Sequence, residues 1–318
     1  MFRDSQAAMP DVKAFDNWYD RASVRSTPRR LVEVDDDIHK AFFPEHLVLH
    51  LSHPLIDPED HKLRRYLTAQ HLYQWLQFTT TFEVAVVGRA TQLIADNGTG
   101  LTLSANSRMT AFQILVDEAY HSLFSLDVQH QLVARSGIGA LEHDFGPFIA
   151  NLDAIGDDMP DHRVLVQLLQ VVVFETLITS ILNDIPVDES LIGVVRTTVR
   201  DHAIDEGRHH VFFATFFKHL WGQLDTRTRA LVAGYLPNLI VRSLQPATAP
   251  AAAALLSAGF SEQRTKQVIA ESYAQDTVVA GIRQSAAKTI RLLEEVGVLD
   301  VPGAREQFLT HGLILERR

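Results

Sequence analysis

Residues 201–213 read DHAIDEGRHHVFF and residues 117–121 read DEAYH. In both strings a glutamate stands three places before a histidine: Glu118 before His121, and Glu206 before His209. Side chains three apart leave an α-helix from the same face, so each pair can grip one ion. The chain contains no other Glu-x-x-His spacing, and both occurrences sit in an Asp-Glu-x-x-His setting. The flanks read as helix in both cases. One helix is expected from about Ser104, a plausible N-cap, to Arg135, ending at Ser136-Gly137. The other is expected from about Asp188 to Trp221, with Gly222 just past its end.

Two further acids stand out around these strings. Glu83 lies in TTTFEVAVVG and Glu175 in VVVFETLITSIL, with no lysine or arginine within a helical turn of either. An ionised carboxylate in such a run must be paired, hydrogen-bonded or bound to metal. Taken singly, each is equally well a protonated core acid. Their helices are expected from about His61 to Asp96, stopped by Asn97-Gly98-Thr99-Gly100, and from about Asp161 to Asn183, stopped by Pro186.

Together the four helices give the order Glu, Glu-x-x-His, Glu, Glu-x-x-His, the ligand set of ferritin-like di-iron and di-manganese carboxylate proteins. Charge supports two ions, since four ionised glutamates balance two divalent cations and can then be buried without other counter-ions. His202 precedes Glu206 by four and His209 by seven, so it extends the same helical stripe. Asp117 and Asp205, each four before a histidine of its own string, are candidate acceptors for imidazole N–H; a solvated aspartate is the alternative.

The fold class expected is all-α, a ferritin-like helix bundle with additional N- and C-terminal helices. Residues 1–60, with Pro44, Pro54 and Pro58, read as an irregular arm with short helices packed on a single domain spanning 61–318. Past the fourth helix come a helix near 226–243, a Pro/Ala stretch from Pro246 to Ala254, and a long amphipathic segment from Ser261 to Glu295.

Composition narrows the partners. Against 29 Lys and Arg stand 39 Asp and Glu, a net charge of −10 with no basic run to track phosphates, so nucleic acid is not expected. The absence of cysteine leaves nitrogen and oxygen donors for a metal. The most apolar stretch, Val164 to Leu182, is interrupted by Gln167, Gln170 and Glu175, which favours a buried helix over a membrane span. The N-terminus shows no apolar signal region, so a soluble, cytoplasmic protein is expected.

The strings FEVAVVG, DEAYH, FETLITSIL and DHAIDEGRHHVFF resemble those of the AurF-like di-iron N-oxygenases, the para-aminobenzoate N-oxygenase family, over roughly residues 63–221. The extra histidine, His202, is the feature that sets this family apart from most ferritin-like relatives. The resemblance implies a homodimer whose metal ligands are Glu83, Glu118, His121, Glu175, His202, Glu206 and His209. It also implies two Fe ions, with Mn a possible substitute, O2 as co-substrate, and a separate electron-donor protein or reductant. The activity implied is oxidation of an amine to hydroxylamine and onward to nitro, through a peroxo-diferric species. An arylamine is the simpler substrate because it is neutral at pH 7, although a carrier-tethered amine is also open. An acidic substrate would need a cation, for which Arg283 or Arg291 are the candidates. The alternatives are a desaturase, a ribonucleotide reductase small subunit, or an iron-storage or peroxide-scavenging bundle. The reductase reading needs a tyrosine near the metal, whereas Ser125 lies one turn after His121.

Overall fold

A computed structural model describes residues 8–33, 38–177, 182 and 184–316. Two single-turn helices, α1 (Trp18–Arg21) and α2 (Ser23–Ser26), lie in the N-terminal arm. Asp60 opens α3 (His61–Phe82) by accepting the Leu63 amide at 2.9 Å. The chain then runs through a π-helical segment, Glu83–Gly88, into α4 (Arg89–Ala95). It stops where Asn97 and Gly100 take positive φ angles of 61° and 75°. Ser104 caps α5 (Ala105–Ser136) by accepting the Ser107 amide, and Gly137 ends it in the left-handed region at φ 71°. Next come α6 (Gly146–Ala154), α7 (Arg163–Leu177) and α8 (Gly193–Gln223). The C-terminal part adds α9 (Thr226–Leu244), α10 (Thr248–Ser257), α11 (Glu262–Ser272), α12 (Gln275–Glu295) and α13 (Ala304–Thr310).

The architecture is all-α. Among the described residues no strand occurs, only an isolated parallel bridge between Ala41 and Leu191. The bundle is built where α3 packs on α5, α5 on α8, α8 on α7, and α7 on the π segment.

The core has two apolar halves. One holds Phe82, Val87, Ala111, Ile114, most of α7, and Phe212 to Trp221, covered by α9, α12 and α13. The other holds Phe42, Phe43, Leu67 to Leu76, Val128, Leu132 and Val194 to Val199, covered by α10 and α11. Each of α3, α5 and α8 contributes to both, so the residues between its two apolar runs form a polar layer inside the bundle. Asp117 to His121 and His202 to His209 fall in that layer, and Glu83 joins it from the π-helical segment that follows α3.

Several boundaries differ from the sequence reading. The last bundle helix begins at Gly193 rather than Asp188, because Ala41 donates to the Ser190 carbonyl and accepts from Ile192, drawing 190–192 out into the bridge. It also continues through Gly222 to Gln223. The Pro/Ala stretch is itself helical, as α10, since Pro250 falls in the first turn, where no intrahelical N–H is needed, and alanine propagates a helix well. The long segment from Ser261 breaks at Tyr273 and Ala274. That break goes with tertiary bonds, Tyr273 Oη lying 3.0 Å from His50 Nδ1 and Glu271 Oε2 2.9 Å from His53 Nε2. The expected end of the third bundle helix, between Leu177 and Asn183, lies largely outside the described residues. Within α7 every residue from Leu168 to Leu177 is buried. One stretch, Thr226–Ser257, is apolar enough by length and composition to cross a membrane, with a mean hydropathy of 1.2. It is divided by the turn between α9 and α10.

Candidate metal centre

The seven predicted ligands meet in the polar layer, and all are buried. They form two groups, Glu83 with His121, His202 and Glu206, and Glu118 with Glu175, Glu206 and His209. Within each group the donor atoms lie within 4.8 Å of one another. Glu206 belongs to both. Its Oε1 is 3.4 Å from His121 Nδ1, 3.3 Å from His202 Nε2 and 3.3 Å from His209 Nδ1. Glu118 also faces both sides, with Oε1 2.9 Å from His209 Nδ1 and Oε2 3.5 Å from His121 Nδ1. Glu83 Oε1 approaches His202 Nε2 at 3.3 Å, and Glu175 Oε2 approaches His209 Nδ1 at 3.8 Å.

Local structure explains how Glu83 arrives. It opens the π-helical turn, and π turns recur at functional sites because an extra residue per turn re-aims the side chains that follow. Glycine at 88 suits the distortion, since a Cβ there would stand 3.3 Å from the Glu83 carbonyl oxygen.

Behind the ligands the hydrogen bonds cross between helices. Asp117, on α5, holds His209 of α8 at 3.3 Å, while Asp205, on α8, holds His121 of α5 at 3.5 Å. The sequence reading placed each aspartate four residues before a histidine on its own helix, but the partner is the histidine of the other string. Both bonds use Nε2, which leaves Nδ1 of His121 and His209 turned to the cluster and fixes the tautomer a metal ligand needs. His202 turns Nε2 to the cluster instead, its ring 4.2 Å from that of His121.

The N-terminal arm completes this layer. Trp18 Nε1 donates to Asp117 Oδ2 at 2.8 Å, and the Ser23 amide donates to both oxygens of Asp205 at 3.2 Å. Phe15 stacks on His209 with centroids 6.2 Å apart, and Arg208 pairs with Asp205 while donating to the Arg21 carbonyl. Sequence reasoning missed Phe15, Trp18 and Ser23, for they lie in an arm without periodicity. The Arg208 pairing was legible from its three-residue spacing from Asp205.

The electrostatics are those of a site short of positive charge. Burial and the Glu206 charge push the Glu175 carboxyl well above the usual carboxylate range. Glu206 itself is held well below that range: burial opposes its ionisation, but the charge of His209 and the close imidazoles of His121, His202 and His209 prevail. Conversely, burial disfavours a charged His209, yet the Glu206 charge and the Asp117 bond raise it to about 10. His121 is raised well above its ordinary value against the same cost, by its bond to Asp205 and by the neighbouring carboxylates of Glu206 and Glu83. The same carboxylates draw cations. Glu118 and Glu206 have both carboxylate oxygens buried without a hydrogen-bond donor, as are Glu83 Oε2, Glu175 Oε2, Nδ1 of His121 and His209, and Nε2 of His202. Lone pairs that converge in a low-dielectric core and find no proton donor fit a pair of metal ions.

A cavity of about 130 Å³ opens beside Glu83 and His202 and is lined by aromatic and aliphatic side chains, with Trp75, Phe78, Phe82 and Phe174 prominent. A larger one, about 310 Å³, lies behind Phe124 and is edged by Arg29 and Arg30, which are paired with Asp127 and Asp201. Neither of the arginines expected to anchor an acidic substrate lines the cavity beside Glu83: Arg283 donates to the Gly312 carbonyl at 3.2 Å, and Arg291 is exposed. Ser125, the residue in the place a tyrosine would take in a reductase, is fully buried.

The profile of the p-aminobenzoate N-oxygenase AurF family matches residues 21–297. No curated protein matches the chain. The chain therefore belongs to the AurF family, and its buried carboxylate–histidine groups are compatible with a di-iron site.

Proposed function

We propose that this AurF-family protein is an N-oxygenase that oxidises an arylamine seated in the cavity beside Glu83 and His202, with two irons held by the seven ligands. The observation that carries the reading is that an apolar, aromatic cavity shares two of its lining residues, Glu83 and His202, with the ligand cluster. Bound iron would supply the reduction of dioxygen and the delivery of one oxygen atom. The balance is that an arylamine, O2, two electrons from a separate reductant and two protons give the hydroxylamine and water; repetition leads on to nitro.

The chain's own residues do the rest. Glu83, His121, His202 and Glu206 would hold one ion, and Glu118, Glu175, Glu206 and His209 the other, with Glu206 common to both. Asp117 and Asp205 keep protons on Nε2 of His209 and His121, so that Nδ1 stays a donor to metal. Trp75, Phe82 and Phe174 keep water from the open side of the cluster and orient the ring with its nitrogen toward Glu83 and His202. An arylamine enters such a cavity with its lone pair free, whereas an alkylamine would first have to shed a proton.

The test is a turnover experiment with the iron-loaded, chemically reduced chain, 4-methylaniline and ¹⁸O-labelled dioxygen. The expected product is N-(4-methylphenyl)hydroxylamine carrying one ¹⁸O, with 4-nitrotoluene accumulating later. Oxygen consumption without any N-oxidised product would sink the reading in favour of an oxidase or storage role.

A further inference from the structure

The walls of the cavity beside the cluster restrict what it can hold. Phe82 and Phe174 stand with ring centroids 4.1 Å apart, and Phe78 stacks on Phe82 at 5.0 Å with an interplanar angle of 15°. Leu177, Leu182 and Leu244 line the remainder, and the side chains with polar atoms are Thr79, Ser243 and Trp75, whose indole N–H is a neutral donor, with the ligands Glu83 and His202. The Ser243 hydroxyl already donates to the Leu239 carbonyl at 2.7 Å. No lysine or arginine is among the described lining residues. The sequence at 178–181 and 183, outside the described residues, reads Ile, Thr, Ser, Ile and Asn and contains no lysine or arginine.

Size and charge then act together. At about 130 Å³ the space is close to the roughly 150 Å³ of an apolar cavity known to take a benzene ring, so it is sized for one ring and not for two. A carboxylate on that ring, carried at the end away from the amine and the cluster, would give up water among these walls and find no lysine or arginine among the described lining residues. A neutral substituent meets only aromatic and aliphatic surface, which suits a ring face or edge.

We infer that this cavity selects an uncharged single-ring arylamine, one without a carboxylate on its ring, and that the walls formed by Trp75, Phe78, Phe82 and Phe174 set the choice. This specificity rests on the amine-oxidation reading above, and it departs from the acid named in the family's description.

The experiment is calorimetric titration of the full-length, iron-loaded chain under anaerobic conditions, where binding is read without turnover. 4-Methylaniline is expected to bind at least about tenfold more tightly than 4-aminobenzoate, the difference left by an unpaired buried charge. Equal or tighter binding of the acid, or saturable binding of neither ring, overturns the inference. In a second arm, Leu244→Arg brings a guanidinium to the half-buried edge of the cavity. It is expected to tighten 4-aminobenzoate at least about tenfold by charge pairing, while Leu244→Gln leaves the ranking as it was. A folded Leu244→Arg chain, judged by its melting curve, that gains nothing for the acid also overturns it. The two claims fail separately. Tight binding of 4-methylaniline without N-oxidation sinks the proposed activity and leaves the specificity standing, whereas oxidation of 4-aminobenzoate with poor binding of 4-methylaniline does the reverse.

Discussion

The chain buries histidines in two places and treats them in opposite ways. Near the arm's contact with α11, His50 is 2% exposed, its Nδ1 is 3.0 Å from Tyr273 Oη, and burial alone drives it down to about 4. His71 is likewise lowered to about 4, by burial and by His50. In the ligand cluster, His121, His202 and His209 are as deeply buried and yet all are raised. The difference is the company. Four glutamates and two aspartates face the cluster histidines, whereas no carboxylate acts on His50. Burial by itself expels a proton from imidazole, while burial among carboxylates demands positive charge of some kind, and either protons or metal ions can meet that demand.

The change that breaks this comparison most severely is at Glu206, the residue common to both ligand groups. Glu206→Ala is expected to lower iron from about two per chain to close to none, as measured by metal analysis after anaerobic loading. His202→Ala removes a neutral donor from one group only and is expected to retain at least one iron while turnover falls more than about tenfold. If Glu206→Ala binds iron like the parent, the cluster is not the metal site. Full turnover in His202→Ala would make that residue a bystander.

The next test sets the two regions against each other through pH. In the metal-free chain the raised histidines and the raised Glu175 add stability that is complete below their unfolded values and fades as pH rises, for His209 through about 10. His50 acts in the other sense. Its contribution is complete above its ordinary value of 6.5 and fades as pH falls through about 4, by about 3 kcal/mol at most. Denaturant titrations should therefore show an alkaline loss that iron loading removes and an acid loss that iron loading leaves in place. His50→Gln, which can still accept from Tyr273, should lessen the acid loss, to which His71 and the lowered Glu206 also contribute. An alkaline limb unchanged by iron would show that protons and metal do not compete for the same groups.

The smallest expected effect is at the arm. Trp18→Phe keeps the ring but removes the indole donor to Asp117. It should destabilise the chain by about 1 kcal/mol and weaken iron binding by up to about tenfold, with the iron count at saturation unchanged. Wild-type iron affinity in this variant would reduce the arm's role to packing.

Much of the site was legible before any fold was known, because its signals are local. Glu118 with His121, and Glu206 with His209 and His202, are tied by helical spacing, and Glu83 and Glu175 declare themselves as unneutralised acids in apolar runs. Helix ends with side-chain caps or glycine stops, at Ser104 and Gly137, were placed within a residue. The errors fell where remote contacts intervene, as at Ala41, which delays the start of α8, and at Tyr273, where the long C-terminal segment divides.

The sequence alone thus determined which residues make up the candidate ligand set, since the geometry of one helix turn fixes which side chains share a face. Tertiary structure decided what surrounds them. Asp117 serves His209 and Asp205 serves His121 across the bundle, Trp18 and Ser23 come from about 100 and 180 residues away, and the cavity walls converge from α3, α7 and α9. No periodicity encodes such pairings. They depend on how whole helices cross and on which side chains fill the space left between them, and that packing is settled only when the complete core assembles.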